Sequence, residues 1–329
     1  MLRKIDWDNQ IGHRLRLRDL HVFFTVAQDG SMSKAAARIG ISTPTVSEVI
    51  AGLEHGLGVR LFDRGPKGVE PTRYGDALLK RALTVFDELK QSIKDIEYLE
   101  DPASGEIRIA CALAIAFTVI PHVFERFTER YPRVVLHFDE LTPSFAATRD
   151  YRELRERKYD LILERGVRWL SETEERAADD LNIETLFDDQ LVIVAGSKNK
   201  WATRRRKIDL AELVNEPWIM QAPHVWNHRV LSEAFRARGL AMPRASLVTL
   251  SMSVITHFLA GGRFITSMPR SVAHFKSLKI LPLDLPSRPW PVNVVTLRNR
   301  TLSPVVDRFI ESARDFTRPM REQRLPAKR

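Results

Sequence analysis

The chain has 329 residues, of which 44% are apolar and 28% charged, with a formal net charge of +9 and one cysteine. That length exceeds a single simple core and implies two or three folding units, while the composition excludes a disordered, collagenous or fibrous chain. A lone cysteine, Cys111, rules out an intrachain disulfide and a cysteine-based zinc site, and the positive balance favours a polyanionic partner. The longest apolar stretch, 110–123, is too short to cross a bilayer and contains Pro121. Asp6, Asp8, Asn9 and Gln10 interrupt any leader-like apolar run. A cytoplasmic protein is expected, with no membrane partner.

Leu17, Leu20, Phe23, Phe24 and Ala27 recur at helical spacing and predict a first helix over 17–28, stopped by Asp29-Gly30. Ser31 or Ser33 can cap a second, short helix carrying Ala35, Ala36, Ala37 and Ile39. Gly40 ends it, because glycine tolerates the left-handed backbone needed there. Ser42 caps a third helix with Pro44 in its first turn, where a missing N–H costs nothing, and Val46, Ile50 and Leu53 form its buried face. Two short helices joined by a tight glycine turn make a helix-turn-helix, at about 31–50, whose second helix can enter the major groove N-terminus first. Two short apolar segments then flank Gly65-Pro66-Lys67-Gly68, which reads as a β-hairpin wing. The candidate DNA-binding residues are Ser33, Lys34, Thr43, Pro44, Thr45 and Ser47, with Arg64 and Lys67 at the wing.

The run from Phe23 to Thr72 resembles the DNA-binding domain of LysR-type transcriptional regulators. Gly30-Ser31-Met32-Ser33-Lys34-Ala35-Ala36, Ile41-Ser42-Thr43-Pro44-Thr45-Val46-Ser47, Leu53-Glu54, Leu57-Gly58-Val59-Arg60-Leu61-Phe62-Asp63-Arg64 and Pro71-Thr72-Arg73-Tyr74-Gly75 carry the match. The resemblance implies a sequence-specific DNA-binding transcription regulator of LysR type rather than an enzyme, controlled by a small-molecule effector and needing no cofactor. The family usually has Gln at 43 and basic residues at 48 and near 51 or 52; this chain has Thr43, Glu48, Ala51 and Gly52. Phosphate repels a carboxylate near the groove, although a cytosine amino group can donate to it. Grip is therefore expected from Ser33, Ser47 and the Arg64/Lys67 wing, with an unusual base preference.

From Arg73 to Leu99 the chain contains no proline. Leu78, Ala82, Val85, Leu89, Ser92, Ile96 and Leu99 form a heptad-like seam, with Phe86 and Ile93 beside it. A lone helix of this length would leave the seam wet. Pairing with the same helix of a second copy removes the problem, as in the linker helix of LysR-type regulators; packing on the chain's own second domain is the alternative. Asp101-Pro102-Ala103-Ser104-Gly105 breaks the helix.

Strand and helix patterns then alternate: strands near 106–111, 134–138, 160–163, 190–195, 218–221, 245–249, 264–268 and 292–297, and helices near 117–130, 147–158, 210–213, 229–238, 252–260 and 304–316. Alternation of this kind predicts parallel sheets covered by helices. The span from Ser104 to Arg318 resembles the family's effector-binding region, built like a periplasmic binding protein. Gly105-Glu106-Ile107-Arg108-Ile109, Arg130-Tyr131-Pro132, Tyr159-Asp160-Leu161, Gln190 through Ala195, Glu216-Pro217-Trp218-Ile219 and Gly261-Gly262-Arg263-Phe264-Ile265 through Pro269-Arg270 carry that match.

The expected architecture is a multidomain α/β chain. A winged helix-turn-helix occupies 15–72 and a dimerisation linker helix 73–103. A periplasmic-binding-protein-like effector domain fills 104–318, with subdomain I at about 104–163 and 269–318 and subdomain II at about 164–268. Ligands in such sheets sit beyond the carboxyl ends of strands. The candidate effector contacts are Ala112, Leu113, Ala114, Thr142, Ser144, Gln221, His224 and Trp226. The family commonly places Ser or Thr hydroxyls in the turn after the first strand; this chain has apolar side chains there. The expected partners are double-stranded DNA, a small organic effector and the chain itself, as dimer or tetramer, with RNA polymerase admitted as a further one.

Three rival readings stand beside this one. His224 and His228 lie four apart, as ligands on one helical face would, but no carboxylate pattern completes a metal site and no catalytic residues are assigned. Cys111 could sense oxidants near the cleft, yet a lone cysteine on an apolar strand reads as buried and inert. A solute-binding protein would lack the helix-turn-helix.

Overall fold

The computed structural model describes residues 15–65, 68–141, 150–166, 178–276, 278–285 and 289–322. The chain divides within one long helix into two compact units, residues 1–94 and 95–329.

In the first unit, α1 (Leu17–Asp29), α2 (Met32–Ile39) and α3 (Thr43–Leu57) precede the hairpin of β1 (Phe62–Gly65) and β2 (Gly68–Pro71). Each helix ends on a left-handed glycine, Gly30, Gly40 and Gly58, whose N–H closes the last turn. Ser31 caps α2 by accepting from the Lys34 N–H, and Ser42 caps α3 by accepting from the Thr45 N–H. Val22, Phe23, Val26, Ala35, Ala36, Val46, Ile50, Leu53, Leu61 and Phe62 form one buried core. Each of the larger side chains contributes roughly 1.5–3 kcal/mol by leaving water. The Glu54 carboxylate accepts from the N–H groups of Leu61 (2.7 Å) and Phe62 (3.2 Å), fixing the passage from α3 into the wing. β2 closes against the α1–α2 turn through the Val69 N–H, which donates to the Gly30 carbonyl at 2.9 Å.

α4 (Arg73–Glu100) is 28 residues long, about 42 Å at the α-helical rise. Thr72 starts it, its hydroxyl oxygen accepting from Tyr74 and Gly75 and donating to the Arg60 carbonyl. Its first turns pack on the head through Leu78, Leu79 and Ala82. Further along, Val85, Leu89, Ile93, Ile96 and Leu99 are exposed, rising to 81% at Leu99.

The second unit holds two five-stranded sheets. Sheet I, in lobe I, runs β4 (Arg133–Glu140), β3 (Ser104–Cys111), β5 (Leu161–Arg165), β12 (Trp290–Leu297) and β6 (Leu181–Asp189). Lobe I also carries α5 (Leu113–Ala116), α6 (Val119–Arg130), α7 (Arg152–Arg155) and, at the end of the chain, α11 (Pro304–Glu322). Sheet II, in lobe II, runs β11 (Lys279–Ile280), β7 (Leu191–Ala195), β10 (Ile265–Pro269), β8 (Trp218–Met220) and β9 (Ala245–Val248). Its helices are a 3-10 turn (Leu210–Leu213), α8 (Trp226–Arg236), α9 (Met252–Ala260) and α10 (Arg270–Phe275).

Three sequence expectations change here. The sheets are mixed, not parallel: β12 runs antiparallel to β5 and β6, and β7 antiparallel to β10 and β11. The cause is that β7 and β12 enter their sheets from the other lobe, and not by a strand–helix–strand crossover within one sheet, so the parallel connection rule does not apply to them. The lobes change over at Gln190 and between Ile280 and Trp290, not near 164 and 269. Strand β6 escaped sequence reading because its register slips opposite Val292/Asn293, leaving Leu186 and Phe187 both buried and breaking the period of two. The helix expected over 147–158 is described only from 150 onward, where α7 covers Arg152–Arg155.

A Cβ on Gly75 would lie 2.2 Å from the Leu61 carbonyl oxygen. Gly75→Ala is therefore expected to destabilise the head by about 1–3 kcal/mol. Urea unfolding followed by circular dichroism checks this, and an unchanged midpoint would contradict the packing.

Candidate nucleic-acid interface and interlobe cleft

Ser33 and Lys34 are exposed in the first turn of α2, where the Ser33 hydroxyl meets that of Ser31 at 3.0 Å. Thr43 and Pro44 are exposed at the start of α3. Thr45 and Ser47 are half-buried and engaged: Thr45 Oγ1 lies 2.8 Å from Ser42 Oγ, and Ser47 Oγ donates to Met32 Sδ at 3.4 Å. Ser47 is thus turned toward α2, and the exposed face of α3 is Thr43, Pro44, Glu48, Ala51, Gly52 and His55. Of these only Glu48 carries a full charge, and it makes no ion pair among the described residues. The cations of the head lie on other elements. Arg64 is exposed on β1, and Lys34, Arg60, Arg64 and Arg73 make no ion pair among the described residues, whereas Arg38 is taken by Asp29 at 2.9 Å. Arg73 lies over the Tyr74 ring at 4.6 Å and donates to its hydroxyl. Lys67 lies outside the described residues.

The second candidate region lies between the lobes. Ala112, Leu113 and Ala114 follow β3 and are half-buried. The Ala112 N–H donates to the Leu163 carbonyl at 2.8 Å, and Ala114 packs on the lobe II core of Val192, Val194, Ile219 and Met268. Gln221 is buried, its amide 3.4 Å from the Ser267 carbonyl oxygen. Trp226 opens α8, half-buried, with Trp290 at 5.0 Å and the Arg165 guanidinium over its ring at 4.8 Å. His224 is exposed on the turn before α8; α8 begins at Trp226, so His224 and His228 do not share a helical face. No cluster of metal-ligating side chains exists among the described residues. Thr142 and Ser144 lie outside them.

Sequence reading missed the charged node beside Trp226. Arg165 donates to Asp189 Oδ2 at 2.9 Å, with side-chain exposures of 9% and 2%. Ser271 donates to the same oxygen, and the Gln190 and Ser271 N–H groups donate to Oδ1. Burial pushes the Arg165 guanidinium down, and Asp189 counters it. The partners are 24 and 82 residues apart in sequence, so no local spacing could reveal them.

Residues 17–76 match the family "Bacterial regulatory helix-turn-helix protein, lysR family", and residues 100–318 match "LysR substrate binding domain". The chain belongs to the LysR family of transcription regulators. It is a LysR-type, DNA-binding transcription regulator with an effector-binding substrate domain. It is 25% identical over 295 residues to the HTH-type transcriptional regulator GbpR of Azospirillum brasilense, covering 88% of this chain and 83% of that one. It is 27% identical over 256 residues to the regulator TdcA of Escherichia coli, covering 77% of each. A full-length OxyR variant from Pseudomonas aeruginosa shares the fold at TM-score 0.58 and 20% identity, covering 96% of this chain and 100% of that one. No helix among the described residues is long and apolar enough to cross a membrane.

Cys111 of this LysR-type regulator is wholly buried on β3, and burial first, then the Glu140 charge, pushes its thiol well up. The nucleophile is the thiolate, so iodoacetamide at about pH 8 is expected to leave Cys111 unmodified in the native chain and to label it in urea. Intact-mass measurement decides it; rapid native labelling would contradict the burial.

Proposed function

We propose that α3 lies in the major groove of an operator, that α4 pairs two copies of the chain, and that a small organic effector binds between lobes I and II. The observation that carries the DNA reading is the exposed face at the start of α3, Thr43, Pro44, Glu48, Ala51 and Gly52, on a head whose exposed Lys34, Arg60, Arg64 and Arg73 make no ion pair among the described residues. Short residues let a helix approach base edges, and exposed cations meet phosphates. Thr43, Pro44 and Glu48 are the base-facing residues, with Glu48 accepting from a cytosine amino group. Ser33, Lys34, Arg64 and Lys67 contact the backbone. Thr45 and Ser47 serve chiefly to hold the start of α3. The chain acts in the cytoplasm by binding rather than by turnover.

The effector reading rests on Trp226, which meets Arg165 of lobe I, and on the apolar Ala112–Ala114 turn, where Ala114 packs on lobe II; Gln221, His224, Thr142 and Ser144 are proposed for the same site. An effector works by binding one lobe arrangement better than another, which changes the spacing of the two DNA-binding heads. RNA polymerase is a further proposed partner.

Retardation of the DNA upstream of the protein's own gene tests the DNA reading, and absence of any shift at low salt would overturn it. Arg64→Ala is expected to weaken binding alike on all sequences and to reduce the slope of log affinity against log salt by about 0.9. An unchanged slope would remove Arg64 from the interface. For pairing through α4, Leu89→Asp and Ile96→Asp are each expected to bring the mass in light scattering down to one chain, with far-ultraviolet circular dichroism unchanged. Full retention of the oligomer in both would refute pairing along this stripe.

A further inference from the structure

We propose that the junction of the two lobes is a built carboxylate-binding site that the chain fills with its own Asp189. Four donors converge on this one carboxylate. Oδ2 receives the Arg165 guanidinium from the end of β5 at 2.9 Å and the Ser271 hydroxyl from α10 at 2.5 Å. Oδ1 receives the N–H groups of Gln190 at 2.8 Å and of Ser271 at 3.2 Å. One charged donor belongs to lobe I, a hydroxyl and a backbone donor belong to lobe II, and Gln190 is the single residue between β6 and β7. This is the donor set that captures a free carboxylate: a buried guanidinium, with a hydroxyl and amides from half-buried residues.

The site is walled by aromatic rings. Trp226 of lobe II lies under the guanidinium at 4.8 Å, and Trp290 lies against Trp226 at 5.0 Å. Arg165 and Asp189 are both nine-tenths or more buried, so neither charge is well screened by solvent, and removing the Asp189 carboxylate takes a buried anion from Arg165 and an acceptor from Ser271 and Gln190. Asp189 therefore acts as a tethered anionic ligand. It holds β5 of lobe I and α10 of lobe II on the same atom, clasping the lobes with no anion from outside. The donors that would otherwise take an effector carboxylate here are committed, so an effector meets the exposed side of Trp226 and the apolar turn of Ala112–Ala114. That last step rests on the effector reading above; the clasp itself does not.

The test is chemical rescue of the full-length chain. Asp189→Ala removes the carboxylate and leaves a hole the size of formate. Its melting temperature in chloride is expected to fall by on the order of 10 °C. Formate at the same ionic strength is expected to raise it again, saturably, by at least half the loss, as a ligand that binds only the folded state must. Asp189→Asn fills the hole and is expected to be insensitive to formate, and Ser271→Ala combined with Asp189→Ala is expected to weaken the formate response several-fold. If Asp189→Ala does not fold in chloride, the refolding yield in formate against chloride is read instead. No loss on substitution, or no gain specific to formate in either readout, overturns the proposal. Because the measurement uses the protein alone, failure to bind DNA leaves it intact, and failure of formate rescue leaves the DNA reading intact.

Discussion

The second unit depends on how its chain travels between two sheets. It leaves lobe I through β6, turns at Gln190, builds lobe II, and returns through 281–289 into β12. β7 and β12, the strands that follow the two passages, run antiparallel to their sheet neighbours, which makes both sheets mixed. β12 becomes a central strand, almost wholly buried between β5 and β6. The carboxyl end of β5 faces lobe II, and the charges at the ends of β5 and β6 have to be neutralised in place. Asp189 and Arg165 do this for each other.

The head solves a different problem. It has few residues with which to bury a core, so it relies on close backbone approaches. Gly68 sits at φ +126 with room for no side chain beside the Gly30 carbonyl, and Gly75 sits against the Leu61 carbonyl. These contacts lock the wing to α1 and α4 to the wing, so the exposed face of α3 is carried on a rigid base. α4 then leaves the head with its apolar side half used: Leu78 and Leu79 pack on the head core and Phe86 meets His21 and Phe24 of α1, while Val85, Leu89, Ile93, Ile96 and Leu99 stay exposed. A stripe this long in water is the mark of an interaction surface.

Charge is divided between the two tasks of a DNA-binding head. Exposed cations that make no ion pair among the described residues stand on α2 (Lys34), before and on β1 (Arg60, Arg64) and at the start of α4 (Arg73), the residue type that phosphates engage without reading sequence. The exposed face of α3 carries the carboxylate of Glu48. On the reading proposed above, orientation and base selection come from separate residues.

The helices of the head, their serine caps and glycine stops, the seam of α4 and most strands of the second unit were legible in the sequence, because each is fixed by residues within a few positions of one another. The exposed or half-buried state of Ser47 and Thr45 was not legible, since it depends on Met32 and Ser42 meeting them across a turn. Strand β6 was hidden by a bulge against a partner more than a hundred residues away. The direction of β7 and β12, the true lobe boundaries and the Arg165–Asp189–Ser271 node were decided only when the two sheets packed together. Local periodicity records which side of an element avoids water. It carries no record of which distant element supplies the cover, or of which buried charge meets which.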